Sequence, residues 1–164
     1  MDNAVGYFDE MMGAGQTRRK AYRDYGDWID EQDIKQLRRK SAEAENFFRR
    51  TGITFNVYGA AEAAERLIPF DIVPRIISGR EWNKIARGIE QRVRAINAFL
   101  YDIYHRQEIL RAGRIPLELI ANNNAFLPQM IGVSPPRNVY THIVGVDIVR
   151  TGEDEIYVLE DNAR

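Results

Sequence analysis

The sequence predicts an α+β fold in which a long amphipathic helix and shorter flanking helices pack on a mostly antiparallel, incomplete sheet. Three observations carry this prediction. Apolar residues recur at spacings of three and four from Trp82 to Tyr104, the period of one helix face. The stretch VYTHIVGVDIVRTGEDEIYVLEDNAR, from Val139 to Arg164, holds two alternating segments around a Thr-Gly-Glu-Asp turn, the pattern of a β-hairpin. A third segment, Ile53 to Tyr58, is β-rich and alternating.

The chain's 164 residues suit one domain or a large piece of one. The reading divides it into a helical arm, 1–50, and a domain, 51–164, that ends in the 139–162 hairpin. A hydrophobic share of 45% is enough for a core. The net charge of −1 offers no electrostatic footprint for nucleic acid, and the short basic clusters are too few to restore one. No apolar run reaches the ~18 residues of a membrane span. The opening MDNAVGYFDEMMG lacks the basic and apolar regions of a secretory signal. The absence of cysteine rules out disulfides and a thiol nucleophile, and suits a cytoplasmic location. There is no Walker A motif and no dinucleotide glycine fingerprint.

Taken in order, residues 1–26 form a loose arm whose Arg18-Arg19-Lys20 is a solvated basic turn. Residues 27–50 read as one helix with a sparse apolar stripe, stopped at Thr51-Gly52 by a glycine C-cap. The strand Ile53–Tyr58 is followed by a short helical connection, Ala60–Arg66. Two short extended pieces come next, Ile68–Phe70 and Val73–Ile77, and Pro69 and Pro74 argue against a central strand through this stretch. Asp71 and Arg75 are expected to pair with each other. Ser78-Gly79-Arg80-Glu81 matches a capping box that starts the long helix. Gly88 in its interior suggests a close neighbour, and Arg87, Arg92 and Arg94 fall off its apolar stripe as solvated arginines. His105 reads as a helix-end histidine, with no serine paired to a histidine anywhere. Gln107–Ala112, Leu117–Ile120 and Ala125–Ile131 are short helical turns before the loop into the hairpin.

In that hairpin a four-residue loop would pair Arg150 with Glu155, Val149 with Ile156 and Asp147 with Val158. His142, Val144, Val146, Ile148, Tyr157 and Leu159 would then share an apolar face. Asp147, Val149, Ile156, Val158, Glu160 and Asn162 would share the other. Asp147 and Glu160 are diagonal neighbours in this register, roughly 7–8 Å apart. Two carboxylates and an amide oxygen suit a hard cation such as magnesium. A solvated sheet face with acids at its rim is the other reading of the same pattern. The assignment hangs on register, because a shift of one residue moves Asp147 to the opposite face from Glu160.

The segment GVDIVR…YVLEDNAR resembles the metal-binding hairpin of the ATP-grasp ligases, in which an Asp precedes a Glu-x-Asn on the next strand. Together with GITFNVYG, ERLIPFDIVPRIIS, Glu81-Trp82 and GIEQRVRAINAFLYDIY, it makes the chain similar to the circularly permuted ATP-grasp family, relatives of glutathionylspermidine synthetase. The resemblance covers the chain from about Tyr7 onward. It implies an ATP- and magnesium-dependent carboxylate–amine ligase. The metal ligands would be Asp147, Glu160 and Asn162, and Arg164 would act catalytically on ATP phosphate or an acyl phosphate. The partners it implies are ATP and an unidentified carboxylate and amine. Ala60 stands where family members carry an acid after Val-Tyr-Gly. The family's nucleotide-holding lysines are expected beyond Arg164, so the chain reads as an N-terminal portion, inactive by itself, with a C-terminal segment or partner chain to complete it. The alternative is a non-catalytic module that docks on a partner.

Overall fold

The computed structural model describes residues 7–15, 17–56 and 65–163. It contains mixed helix and strand, as expected, in two compact units, Met1–Ile77 and Ser78–Arg164. Within the first unit, the helix Ile34–Thr51 is in contact with the strand Glu65–Leu67, which follows it.

In the first unit, α1 spans Arg23–Asp30 and α2 spans Ile34–Thr51, so the expected single helix is two. The break has a local cause: the Asp33 side chain accepts from the Lys35 amide and so starts a new helix. Gly52 ends α2 at φ 70°, a left-handed conformation that glycine adopts without steric cost. Strand β1, Thr54–Asn56, pairs antiparallel with β2, Glu65–Leu67. Arg66 therefore lies in a strand rather than a helix; residues 57–64, including Ala60, lie outside the described residues. Ile68–Phe70 and Val73–Ile77 form no strand. The Phe70 ring lies 5.0 Å from that of Phe48 on α2.

Long-range polar contacts in this unit differ from those expected. Arg75 pairs with Glu10 at 2.6 Å, not with Asp71, whose carboxylate accepts from the Val73 amide. Arg18 is no free cation of a basic turn: it bridges Asp27 and Asp30, each at 2.8 Å. Its guanidinium crosses α1 at Gly26, where a Cβ would lie 2.2 Å from Arg18 Nε. Tyr22 is buried, and its hydroxyl oxygen accepts from the Ile76 amide at 2.8 Å.

The second unit is built on α3, Gly79–Tyr104. Its capping box is present in both directions: Ser78 Oγ accepts from the Glu81 amide, and the Glu81 carboxylate accepts from the Ser78 amide. Ile85, Ile103 and Tyr104 are buried along it, and Trp82, despite falling on the periodic stripe, is exposed. Two short helices follow, α4 at Glu108–Arg111 and α5 at Glu118–Ala121. The Asp102 carboxylate accepts from the amides of Glu108 and Ile109 and so holds α4 to the end of α3. Tyr104 stacks on Phe126 and Tyr140, and its hydroxyl accepts from the Leu127 amide. The loop into the hairpin is thereby fastened to α3. Asn97 completes the attachment: its Oδ1 accepts from the Tyr140 and Thr141 amides, and its Nδ2 donates to Thr141 Oγ1.

The hairpin consists of β3, Val144–Arg150, and β4, Ile156–Ala163, paired antiparallel. Among the described residues no helix is long and apolar enough to cross a membrane.

Candidate metal centre

The observed register corrects the expected one. Arg150 pairs with Ile156, Val149 with Tyr157 and Ile148 with Val158. A bulge then intervenes, and Asp147 pairs with Glu160, Val146 with Asp161 and Gly145 with Asn162. Leu159 is the extra residue. A bulge places two residues of one strand against one of its partner and re-aims the side chains beyond it.

The faces follow from this pairing. Arg150, Ile148, Val146 and Val144 share one face with Ile156, Val158 and Asp161, and all seven are at least half-buried. Ile156 and Val158 thus lie with the covered set, not with the acids. Tyr157 and Leu159, expected in the apolar set, are 56% and 70% exposed. His142, also expected there, precedes β3 and is exposed. The physical reason is the one-residue change of register in β4 before the bulge, which turns each of its side chains over.

Helix α3 holds the covered face through charge as well as packing. Arg150, whose side chain is 2% exposed, donates to Glu81 Oε1 at 2.9 Å and to the Glu153 carbonyl. Arg92 pairs with Asp161, its Nε at 2.8 and 2.7 Å from the two carboxylate oxygens and its Nη2 at 2.6 Å. The hydrogen bond from Arg92 holds the Asp161 carboxyl below its ordinary value, against the opposing effect of desolvation. Lys84 reaches Asp154 at 3.5 Å near the turn, an exposed pair of small energetic consequence.

The other face is exposed and carries Asp147, Glu160 and Asn162. Asp147 and Glu160 are directly opposite, not diagonal, a relation that brings Cβ atoms to roughly 4.5–5.5 Å. Asn162 is two residues along the same face, and its Nδ2 donates to Glu160 Oε1 at 3.0 Å. With the amide nitrogen so engaged, Oδ1 is the atom Asn162 has to offer a cation. Among the described residues no basic side chain forms an ion pair with either carboxylate. Nor does any group of three or more His, Cys, Asp or Glu side chains there stand together as a metal cage. The donor set still fits magnesium, which binds through one or two carboxylates and takes its remaining ligands from water and phosphate. Arg164 lies outside the described residues.

Sequence reasoning missed Arg92, Asp161 and the bulge. The available signal was Asp161 itself, an acid between two candidate ligands that alternation sends to the opposite face from both of them. It also missed a serine–histidine contact. His105 Nδ1 lies 2.9 Å from the Tyr101 carbonyl, to which it donates, and Nε2 accepts from Ser134 Oγ at 3.1 Å. Ser134 is exposed on the loop that follows Gly132, and the contact fastens that loop to the end of α3.

The second unit is thus α+β, with a two-stranded hairpin that sets one face toward a long helix and turns Asp147, Glu160 and Asn162 outward. Residues 74–164, more than half of the chain, match the family model described as circularly permuted ATP-grasp type 2, and the chain belongs to that family. A Synechocystis protein described as uncharacterized is 40% identical over 159 residues, covering 96% of this chain and 33% of the relative. An uncharacterized Mycobacterium tuberculosis protein is 40% identical over 157 residues, covering 96% of this chain and 28% of its own length. A protein of Frankia casuarinae named putative glutamate–cysteine ligase is 35% identical over 159 residues, covering 96% of this chain and 18% of its own length. The chain thus spans a third or less of the length of these curated relatives.

Proposed function

We propose that this chain carries the magnesium-holding face of an ATP-dependent carboxylate–amine ligase. The observation that supports this most is the bulged register, which sets Asp147 directly opposite Glu160 with Asn162 beside them on the exposed face. Like charges directly opposite in a ladder are destabilising, and a bound cation offsets that cost. In this reading Asp147 and Glu160 would hold the ion through their carboxylates, Asn162 would offer its amide oxygen, and Arg164 would meet phosphate. Magnesium, when bound, neutralises charge on a transferring phosphoryl group, the main demand of ATP-dependent activation of a carboxylate. The chain's own part is to fix these oxygen donors on a rigid hairpin, backed by α3. The name of the Frankia relative denotes joining a carboxylate to an amine, which agrees with this class of reaction. Because the chain spans a third or less of its relatives, ATP-dependent ligation by the longer architecture, and the acceptor and donor it uses, belong to this proposal.

Manganese titrated into isotope-labelled protein tests the site. Paramagnetic broadening is expected first at the amides of residues 145–147 and 160–162. Broadening spread evenly over surface acids such as Glu43, Asp27 and Asp154 would contradict it.

A second reading, a module that docks on a partner, draws on Ile143, Tyr157 and Leu159, which are exposed on or beside the same hairpin. It predicts a stable complex that forms equally well with and without divalent metal.

A further inference from the structure

Glu160, Asp161 and Asn162 follow one another in β4, and a strand sends neighbouring side chains to opposite faces. The hairpin must therefore choose between Glu160 and Asp161 as the carboxylate that joins Asp147. Continuing the register observed from Arg150–Ile156 to Ile148–Val158 without a bulge would pair Asp147 with Leu159, Val146 with Glu160 and Gly145 with Asp161. Glu160 would then turn toward α3, with Asp161 turned outward and Asn162 inward. The bulge at Leu159 produces the opposite arrangement, and extended backbone alone does not favour it.

We propose that Arg92 of α3 is a positioning residue that selects Glu160, rather than Asp161, for the face of Asp147. Three observations and one argument from side-chain length support this. Arg92 contacts both carboxylate oxygens of Asp161, the geometry that gives a guanidinium–carboxylate pair directional specificity. Asp161 is opposite Val146 on the covered face, with its side chain 16% exposed, where a carboxylate without a cation is costly. The α3 helix is fixed independently against the hairpin at Glu81–Arg150 and at Asn97–Tyr140, on either side of Arg92. The guanidinium thus reaches β4 from a defined height. Glu160 in place of Asp161 would carry one more methylene toward the same arginine and leave the outward face with the shorter acid.

The part of this inference that concerns metal rests on the function proposed above; the part that concerns register does not. The experiment keeps the two apart. Cross-strand backbone NOEs between Asp147 and Glu160, and between Val146 and Asp161, report register in the full chain without metal. Manganese affinity is measured on the same samples. In Arg92→Ala the Asp147–Glu160 NOEs are expected to disappear or to share intensity with an Asp147–Leu159 set, with manganese affinity falling at least tenfold. Arg92→Lys should restore the pairing in part. If Arg92→Ala proves too unstable to study, Asp161→Asn removes the same charge pair with little change of shape and should give the same shift. Unchanged Asp147–Glu160 NOEs in both Arg92→Ala and Asp161→Asn would overturn the positioning role. Loss of the pairing in a protein whose wild type binds no manganese would uphold the role of Arg92 in register and overturn the metal reading instead.

Discussion

Asp147 and Glu160 oppose each other across a ladder with no described basic side chain between them, so each is predicted to trade stability against ligand affinity. Without metal, Glu160→Gln should stabilise the chain by about 0.2–1 kcal/mol by removing the cross-strand repulsion. With saturating manganese the order should reverse, and urea melts in chelator and in manganese check both halves. Asp161 behaves differently. Its carboxyl is held below the ordinary value by the hydrogen bond from Arg92, so the unfolded chain binds its proton more readily than the folded one does. Its contribution to stability is therefore fully present above the ordinary carboxylate value of 3.8 and is lost as the pH falls through its lower folded value. Carbon-detected titration should find Asp161 among the last carboxylates to protonate, and Arg92→Met should move it back toward the ordinary range. The residue types of the candidate site were legible in the sequence, since an Asp followed by Glu-x-Asn stands out. Arg92 was not, because a single arginine off an apolar stripe looks the same whether it meets solvent or a carboxylate 69 positions away.

Elements with local causes were the most legible. The capping box at Ser78 is a four-residue signal, and both of its hydrogen bonds form. Ser78→Ala is predicted to cost about 1 kcal/mol, read as a lower denaturant midpoint with an unchanged slope. The glycine stop after α2 was equally plain, and Gly52 at φ 70° should resist Gly52→Ala by about 1–2 kcal/mol, because a Cβ is strained there. The break between α1 and α2 was less visible. Asp33 as an N-cap competes with a helical pattern that runs through it, and the local hydrogen bond to Lys35 prevails. Register was the least legible. Turn length and a bulge fix it, and regular alternation within the hairpin signals neither. The regular alternation assumed for β4 assigned Tyr157 and Leu159 to the core side and Ile156 and Val158 to the acid side. Glu160 and Asn162 share a face with Asp147 in the bulged ladder as well, through the different pairing that Leu159 makes possible.

At the scale of the molecule, the chain forms two compact units, and the candidate metal face belongs wholly to the second, Ser78–Arg164. The family match, 74–164, covers nearly the same stretch, whereas the relatives align with 96% of the chain. A ligand that binds only the native hairpin stabilises it by about 2.7 kcal/mol at a hundred times its dissociation constant. Hydrogen exchange should therefore slow in α3, β3 and β4 on adding manganese, and stay as it was in α1 and α2. The most direct test of the central claim is calorimetric titration of manganese into the wild-type chain, Asp147→Ala and Glu160→Ala, with ATP absent and then present. The account predicts one-to-one binding by the wild type, tightened by ATP, and at least a tenfold weakening in each variant. Equal affinity in all three proteins would contradict it and leave the hairpin as a solvated acidic face.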